Sequence, residues 1–341
     1  MKFYRFFHSF SILSAVAVTA SLFLSACTGK GGGGSTDSGF TKAEGMIWNT
    51  TYHITYRGPE ALEDSIMIVL QRVGDALNVF DEQSLVSRVN REDSTAVGPD
   101  FIRVYEMARR VNAISGGAFD PTLGPLITAW GFGKGHKATA DTLRIDSIME
   151  FVGITKTALR GNMLVKDDRR INFNFSAIAK GYGCDCVAEM LERNGVKDYL
   201  VEIGGEIVAK GKSPSGEKWC VSIDRPELGA APDAGDAEAI IEFSGMGLAT
   251  SGNYRNYHEE NGRIFGHTIS ARTGRPSQTD VLSASVLATS AMEADALATA
   301  CMALGARPAR QLCDSLRLPA MLVLAYSTIW MSEPFKKLIV E

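Results

Sequence analysis

The chain has no run of lysine and arginine that could track a nucleic-acid backbone, and its formal net charge is -4. The electrostatic footprint of a nucleic-acid partner is therefore missing. Cysteine is scarce, with six in 341 residues. With Cys27 set aside, Cys184, Cys186, Cys220, Cys301 and Cys313 remain. An odd number without small-domain spacing does not make a disulfide framework. Cys184-Asp185-Cys186 and the isolated others lack zinc-site spacing, which leaves buried thiols as the reading. There is no internal repeat, no heptad array, no Rossmann fingerprint and no Walker loop. Beyond the N-terminal segment, no stretch approaches the roughly 20 apolar residues that a bilayer span needs.

What is present begins with a leader. Lys2 and Arg5 form a short basic region, and an apolar run follows from Phe10 to Leu24. The run is short and rich in Ser and Ala, so residues 1–26 read as a secretory signal peptide. It ends in Leu24-Ser25-Ala26-Cys27, which resembles the lipobox of bacterial lipoproteins. That resemblance implies lipidation at Cys27, with more than one acyl chain for stable attachment. Residues 27–39 include Gly31-Gly32-Gly33-Gly34-Ser35, a flexible tether. The expected location is lipid-anchored to the cell membrane, the folded domain outside the cytoplasm (the periplasmic side in a Gram-negative cell).

Residues 40–341 are the expected folded part, about 300 residues, enough for one large domain or two fused ones. Its composition is ordinary for a globular protein, at 45% hydrophobic and 22% charged over the whole chain. Residues 48–57 are rich in β-branched and aromatic side chains and read as a strand. Apolar residues at Leu62, Ile66, Val69, Leu70, Val73 and Leu77 predict an amphipathic helix between Glu60 and Phe80. A second helix spans about Asp100 to Ile114. Ser176 is the expected cap of a third, which ends at Gly195. Strand character marks Tyr199–Val208, Trp219–Ile223, Ala239–Phe243, Val281–Ala288 and Ala320–Tyr326. A fourth helix opens on the capping box Ser290-Ala-Met-Glu293 and closes at Gly305. Helices and strands mix without regular βαβ alternation, so the fold class is α+β.

Several segments could carry chemistry. Asp295 and Thr299 sit four residues apart on the fourth helix and share a face. A carboxylate and a hydroxyl are hard oxygen donors that suit Mg²⁺. The same pair also fits a solvated helix face. Its neighbours in Ala294–Ala300 are small or apolar, however, so the carboxylate is expected to be buried and to need a partner. Ile203-Gly204-Gly205-Glu206 and Gly245–Asn253 are glycine-rich segments that allow close approach of a ligand, or serve as plain β-turns. Phe119-Asp120-Pro121 pairs an aromatic ring with a carboxylate in a turn, where the ring is either core or a platform for a flat ligand. Among five histidines, His267 is the candidate proton handler, with a structural role equally open. The residues alone support an exported α+β domain with a Mg²⁺-assisted phosphate chemistry.

Taken in order, these segments resemble the FAD:protein FMN transferase (ApbE) family over roughly residues 45–310. The resemblance is carried by Trp48-Asn-Thr-Thr-Tyr-His53, Gly116-Gly-Ala-Phe-Asp-Pro-Thr122 and Asn174-Phe-Ser-Ala-Ile-Ala-Lys-Gly-Tyr182. It continues through Gly204-Gly-Glu206, Ala249-Thr-Ser-Gly-Asn-Tyr254, His267–Gly274 and Ala294-Asp-Ala-Leu-Ala-Thr299. It implies mixed, largely antiparallel sheets with packed helices. It also implies FAD as substrate, Mg²⁺ as cofactor, and FMN transfer to a threonine of an acceptor protein with release of AMP. The acceptor would carry a threonine flavinylation motif, with a subunit of a membrane redox complex as one candidate.

By carry-over, Mg²⁺ is held by Asp295, Thr299 and the carbonyl of Ala179. FAD contacts Trp48, Phe80, Ala118, Phe119, Asp120, Ser176, Tyr182 and Ile269. His267 and Asp295 are the catalytic pair. The chain departs from the family pattern at Trp48-Asn49 for Met-Gly, Phe80 for Tyr, Asn174 for Asp and Ser270-Ala271 for Asp-Pro. FAD hydrolysis to FMN and AMP, or flavin binding without catalysis, are the alternative readings.

The leader makes a testable expectation. Cys27→Ser should leave the protein unprocessed or soluble while the domain from Phe40 onward stays folded, as read by membrane fractionation and circular dichroism. A Cys27→Ser protein that is processed and membrane-bound like the parent would remove the lipobox reading.

Overall fold

The computed structural model describes residues 39–131, 142–226, 237–252, 257–260, 263–266, 268–277, 280–325 and 328–340. Residues 1–38, which hold the expected signal peptide, Cys27 and all but the last residue of the expected tether, lie outside them. Among the described residues no helix is long and apolar enough to cross a membrane.

The chain opens with β1 (Phe40–Ile47) and β2 (Thr50–Arg57), followed by α1 (Glu63–Leu77), α2 (Leu85–Arg91), β3 (Ser94–Ala96) and α3 (Pro99–Ile114). The expected strand at 48–57 therefore starts two residues late. Trp48 and Asn49 have φ of 48° and 64° and make the tight turn of a β1–β2 hairpin. Next come α4 (Gly124–Ala129), α5 (Thr142–Met149), β4 (Thr157–Arg160), β5 (Met163–Lys166) and α6 (Ala179–Arg193). Ser176 does not cap α6: the cap position is Ile178, with no side-chain bond.

The expected strand 199–208 is a hairpin, β6 (Tyr199–Ile203) and β7 (Glu206–Lys210). Gly204 and Gly205 form its turn at φ of 60° and 98°, which ordinary residues adopt only with strain. The remaining strands are β8 (Trp219–Asp224), β9 (Ala237–Phe243), β10 (Met246–Gly252), β11 (Tyr257–Glu260), β12 (Arg263–Gly266) and β13 (Val281–Ala288). Then follow α7 (Ala291–Leu304), α8 (Ala306–Leu316), β14 (Ala320–Leu324), β15 (Thr328–Met331) and α9 (Glu333–Lys336).

One eight-stranded sheet organises the molecule, in the order β1-β2-β6-β7-β10-β13-β14-β15. Every pairing in it is antiparallel. Its central strands are buried on both faces, so alternate side chains serve two cores. In β14, Ala320 and Leu322 face a core shared with α1, α3, α6 and α7, while Met321 and Val323 face one built by the β8–β9 hairpin and Phe335. The α+β reading with antiparallel sheets holds.

Helix α7 is buried nearly all round, which explains why its sequence is alanine-rich rather than amphipathic. Ser290 caps it by accepting from the Glu293 amide at 3.1 Å. The other half of the expected box does not close, because Glu293 accepts from the Thr289 hydroxyl and pairs with Arg110. Helices α6 and α7 touch backbone to backbone. A Cβ on Gly181 would lie 2.2 Å from the Ala291 carbonyl oxygen. Each helix also caps the other. Asp185 of α6 accepts from the Ala291 and Met292 amides at 2.8 and 2.9 Å, and Asp295 of α7 accepts from the Gly181 amide at 3.1 Å.

Gly181→Ala is accordingly expected to lower stability by about 1–3 kcal/mol, the usual scale of overpacking. Urea unfolding read by circular dichroism measures it; an unshifted midpoint would show that the two helices can separate at no cost.

Candidate functional site

The site grows from the N-terminal end of α6. Phe173 and Phe175 bury their rings against Phe101 in α3. Alternation then turns Asn174 and Ser176 outward, and an Asn174 Oδ1 bond to the Ser176 amide at 2.9 Å sets the bend. The chain enters α6 with Ala177 and Lys180 facing a cavity of about 370 Å³. This lies within the usual range of small-molecule sites.

Five other segments complete the walls. The turn after α3 supplies Ala118, Phe119 and Asp120, the β6–β7 turn supplies Gly204 and Glu206, and β10 supplies Thr250, Ser251 and Gly252. Thr268 and Ile269 come from the loop before β13, and Asp295 and Thr299 from α7.

The charges are concentrated at one end. Lys180 Nζ forms an ion pair with Glu206 and reaches the Gly204 carbonyl at 3.4 Å. Burial would lower the lysine, but the Glu206 and Asp295 carboxylates outweigh it and hold its pKa above the ordinary value. Burial pushes Glu206 up, against the pull of Lys180. Burial likewise raises Asp295, opposed by Lys180 and the Gly181 amide. The Thr299 hydroxyl lies 3.2 Å from that of Ser251.

Asp120 plays a different part. Its two oxygens accept from the Thr122 amide and hydroxyl, the Ile154 amide and the Asn112 amide nitrogen. Burial raises its pKa and these four donors oppose the rise. The carboxylate is spent on holding the turn that presents Ala118 and Phe119.

A smaller, mainly apolar pocket of about 190 Å³ adjoins the cavity and shares Ser176 and Lys180 with it. Trp48, Phe80 and Ala179 line it. Phe80 is 66% exposed. The indole of Trp48 is wedged between α1 and α6: a Cβ on Gly74 would fall 2.7 Å from its Nε1, and one on Gly183 2.5 Å from its ring. That Nε1 is buried without a hydrogen-bond partner.

Of the residues expected from sequence, Ala118, Phe119, Asp120, Ser176, Ile269, Asp295 and Thr299 meet in the main cavity. Trp48, Phe80 and Ala179 sit on the adjoining pocket instead. Tyr182 is not brought to either. It is fully buried, donates to Asp100 at 2.6 Å and lies under the Arg103 guanidinium, so it is a core residue one helical turn too deep. Ala179 is already inside α6, where a carbonyl is committed to the amide four residues on. Ala177, two residues earlier, lines the main cavity together with Asp295 and Thr299. His267 lies outside the described residues.

Lys180 and Glu206 stand in two of the family-like motifs but have no role expected from sequence. The available signal was a lone lysine at a helix start and a lone glutamate after two glycines. Neither says that they pair.

Among the described residues no three His, Cys, Asp or Glu side chains form a ready-made metal cage. On α7, Asp295 and Thr299 offer the cavity one carboxylate and one hydroxyl, while Asp120 and Glu206 are engaged by protein donors. This suits only a hard cation that keeps waters and shares ligands with phosphate.

The ApbE family model matches residues 48–322. A FAD:protein FMN transferase of Vibrio cholerae is 35% identical over 292 residues, covering 82% of this chain and 86% of that protein. One of Haemophilus influenzae is 33% identical over 347 residues, covering 96% and 97%. The solved flavin transferase ApbE of Vibrio cholerae superposes with a TM-score of 0.79 at 31% identity, over 88% of this chain and 99% of its own. The apo flavinyl transferase ApbE of Pseudomonas stutzeri gives 0.79 at 30% identity, over 88% and 96%. The match runs through every segment that lines the cavity, and this chain belongs to the ApbE family.

Proposed function

We propose that this chain transfers FMN from FAD to a threonine hydroxyl of an acceptor protein, releasing AMP, with Mg²⁺ bound in the main cavity. The observation that carries the reading is the convergence of the family segments on one cavity whose charged end joins Lys180, Glu206 and Asp295.

The acceptor oxygen bonds to the FMN-side phosphorus, and the bond from that phosphorus to the bridging oxygen breaks. The bridging oxygen departs with AMP, and the hydroxyl proton goes to a base, for which His267 is the candidate. Catalysis of such a transfer is mainly positioning and charge neutralisation. Lys180, fixed by Glu206, presents its ammonium to the pyrophosphate oxygens. Ser176 and the Thr250–Gly252 segment border the same space and can donate to phosphate. The apolar pocket of Trp48 and Phe80 accepts a flat ring beside it.

Asp295, Thr299 and the Ala177 carbonyl are the oxygen donors that would hold Mg²⁺, with substrate phosphate completing the set. When bound, the ion offsets the charge that builds on the departing AMP phosphate. Lys180 alone is insufficient for this, because its charge is already shared between two carboxylates. Cys27 lipidation would tether the domain to the membrane, where an acceptor such as a membrane redox subunit would meet it.

Asp295→Asn is the informative variant. It can still accept from the Gly181 amide but loses the charge, so the helix contact survives. Transfer should fall at least about 100-fold, the scale of removing one preorganised electrostatic group. Thr299→Ala should be milder, since water can replace a neutral ligand. The measurement is covalent flavin fluorescence on a denaturing gel after incubation with FAD, Mg²⁺ and acceptor. EDTA should abolish labelling by the parent and Mg²⁺ should restore it. Full labelling by Asp295→Asn, or by the rigorously chelated parent, would sink the metal reading, and free FMN without labelled acceptor would replace transfer by hydrolysis.

A further inference from the structure

Behind the Gly204-Gly205 turn stands a polar pair that the proposed chemistry does not use. His53 in β2 and Glu202 in β6 are direct cross-strand neighbours. His53 Nδ1 lies 2.7 Å from Glu202 Oε2, and the other oxygen of Glu202 accepts from the Gly205 amide at 2.6 Å. The glutamate side chain is 1% exposed and the histidine 33%. Neither lines the main cavity or the adjoining pocket.

A buried carboxylate is costly unless its lone pairs are satisfied. Here each oxygen has one strong partner: the Gly205 amide, which belongs to the turn, and His53, which holds the other oxygen from β2. The turn in turn fixes Lys180 from two sides. Gly204 offers its carbonyl to Nζ, and Glu206, immediately after the turn, holds the same ammonium. Gly204 also fits against its surroundings without slack: a Cβ there would lie 2.8 Å from Thr50 Oγ1 and 3.2 Å from the Lys180 side chain. The placement of Lys180 therefore depends on the turn, and the turn depends on Glu202.

We propose that His53 and Glu202 are positioning residues: they hold the Gly204-Gly205 turn, and through it Lys180, in the place that FAD binding uses. This rests on the reading that the cavity takes FAD. Groups that orient the ligands of a metal site change affinity or activity by about 10–100-fold when removed, and a loss on that scale is expected here.

The test is a double-mutant cycle on the full chain, read as the FAD dissociation constant by flavin fluorescence titration in Mg²⁺. Glu202→Ala should weaken FAD at least about tenfold in the parent, as for other supporting groups. In a Lys180→Ala background it should add less than about twofold, because a residue that acts through Lys180 has nothing left to position. A general structural defect would instead add in full to the loss from Lys180→Ala, and that result overturns the proposal. So does an unchanged affinity in Glu202→Ala. If Glu202→Ala does not fold, the half-exposed His53 carries the cycle. His53→Ala should lose affinity in the parent and not in Lys180→Ala, and His53→Gln, whose amide can still donate to Glu202, should restore it. Additive losses there, or no loss, have the same force. A parent that binds FAD but labels no acceptor overturns only the transfer reading; one that binds no FAD overturns both.

Discussion

The close crossing of α6 and α7 is the constraint on which the site depends. Both helices begin at that contact, and each places an aspartate on the other's unsatisfied amides. The exchange is possible only because Gly181 lacks a side chain, and β10 comes equally close through Gly247, where a Cβ would lie 2.1 Å from the Ala291 amide nitrogen. From this one contact follow the alanine-rich character of α7, the burial of Asp295, and the position of Lys180 beside it. The cavity is what remains open between these backbones once they have approached as far as glycine allows.

Electrostatics then decide what that opening can hold. Two carboxylates, Glu206 and Asp295, share one ammonium in surroundings that penalise every charge. A pyrophosphate adds further negative charge. A further cation would offset that charge, and on the proposed reading the oxygens of Asp295 and Thr299 receive it. The carboxylate of Asp120, with four protein donors, is by contrast already satisfied and has no such vacancy to fill. Two aspartates in one cavity thus divide into a scaffold and a candidate ligand on hydrogen-bond accounting alone.

Much of the fold was legible because periodicity survives in the sequence. The apolar face of α1, the Ser290 cap of α7 and the strand Val281–Ala288 were all readable from their own residues. Errors fell where backbone geometry rather than side-chain pattern decides. Trp48-Asn49 looks like strand by composition but adopts the left-handed turn of a hairpin, and Gly204-Gly205 cuts one apparent strand into two. Ser176 has the chemistry of a cap, yet the bend made by Asn174 delays the helix to Ala179. The same shift leaves Ala177 on the main cavity and Ala179 on the adjoining pocket. Tyr182 was misplaced because a motif gives order along the chain and not direction around a helix. The Lys180–Glu206 pair joins residues 26 apart that only the β6–β7 turn brings together.

Asp185 shows how far this site was built for position rather than for stability. Burial raises its carboxyl to about 6, even though the Met292 and Ala291 amides pull the other way. Between the ordinary value of 3.8 and about 6, the folded chain keeps a proton that the unfolded chain has released. Stability contributed by this group is therefore largest at low pH and is lost as pH rises through that window. At neutral pH an ionised Asp185 is a net cost, reduced but not removed by its two amide donors. What the cost secures is orientation: the start of α7 is pinned to α6, so Asp295 and Thr299, one and two turns further on, face the cavity in a fixed register. The strain of a buried carboxylate outside the cavity is thus the support for the one inside it.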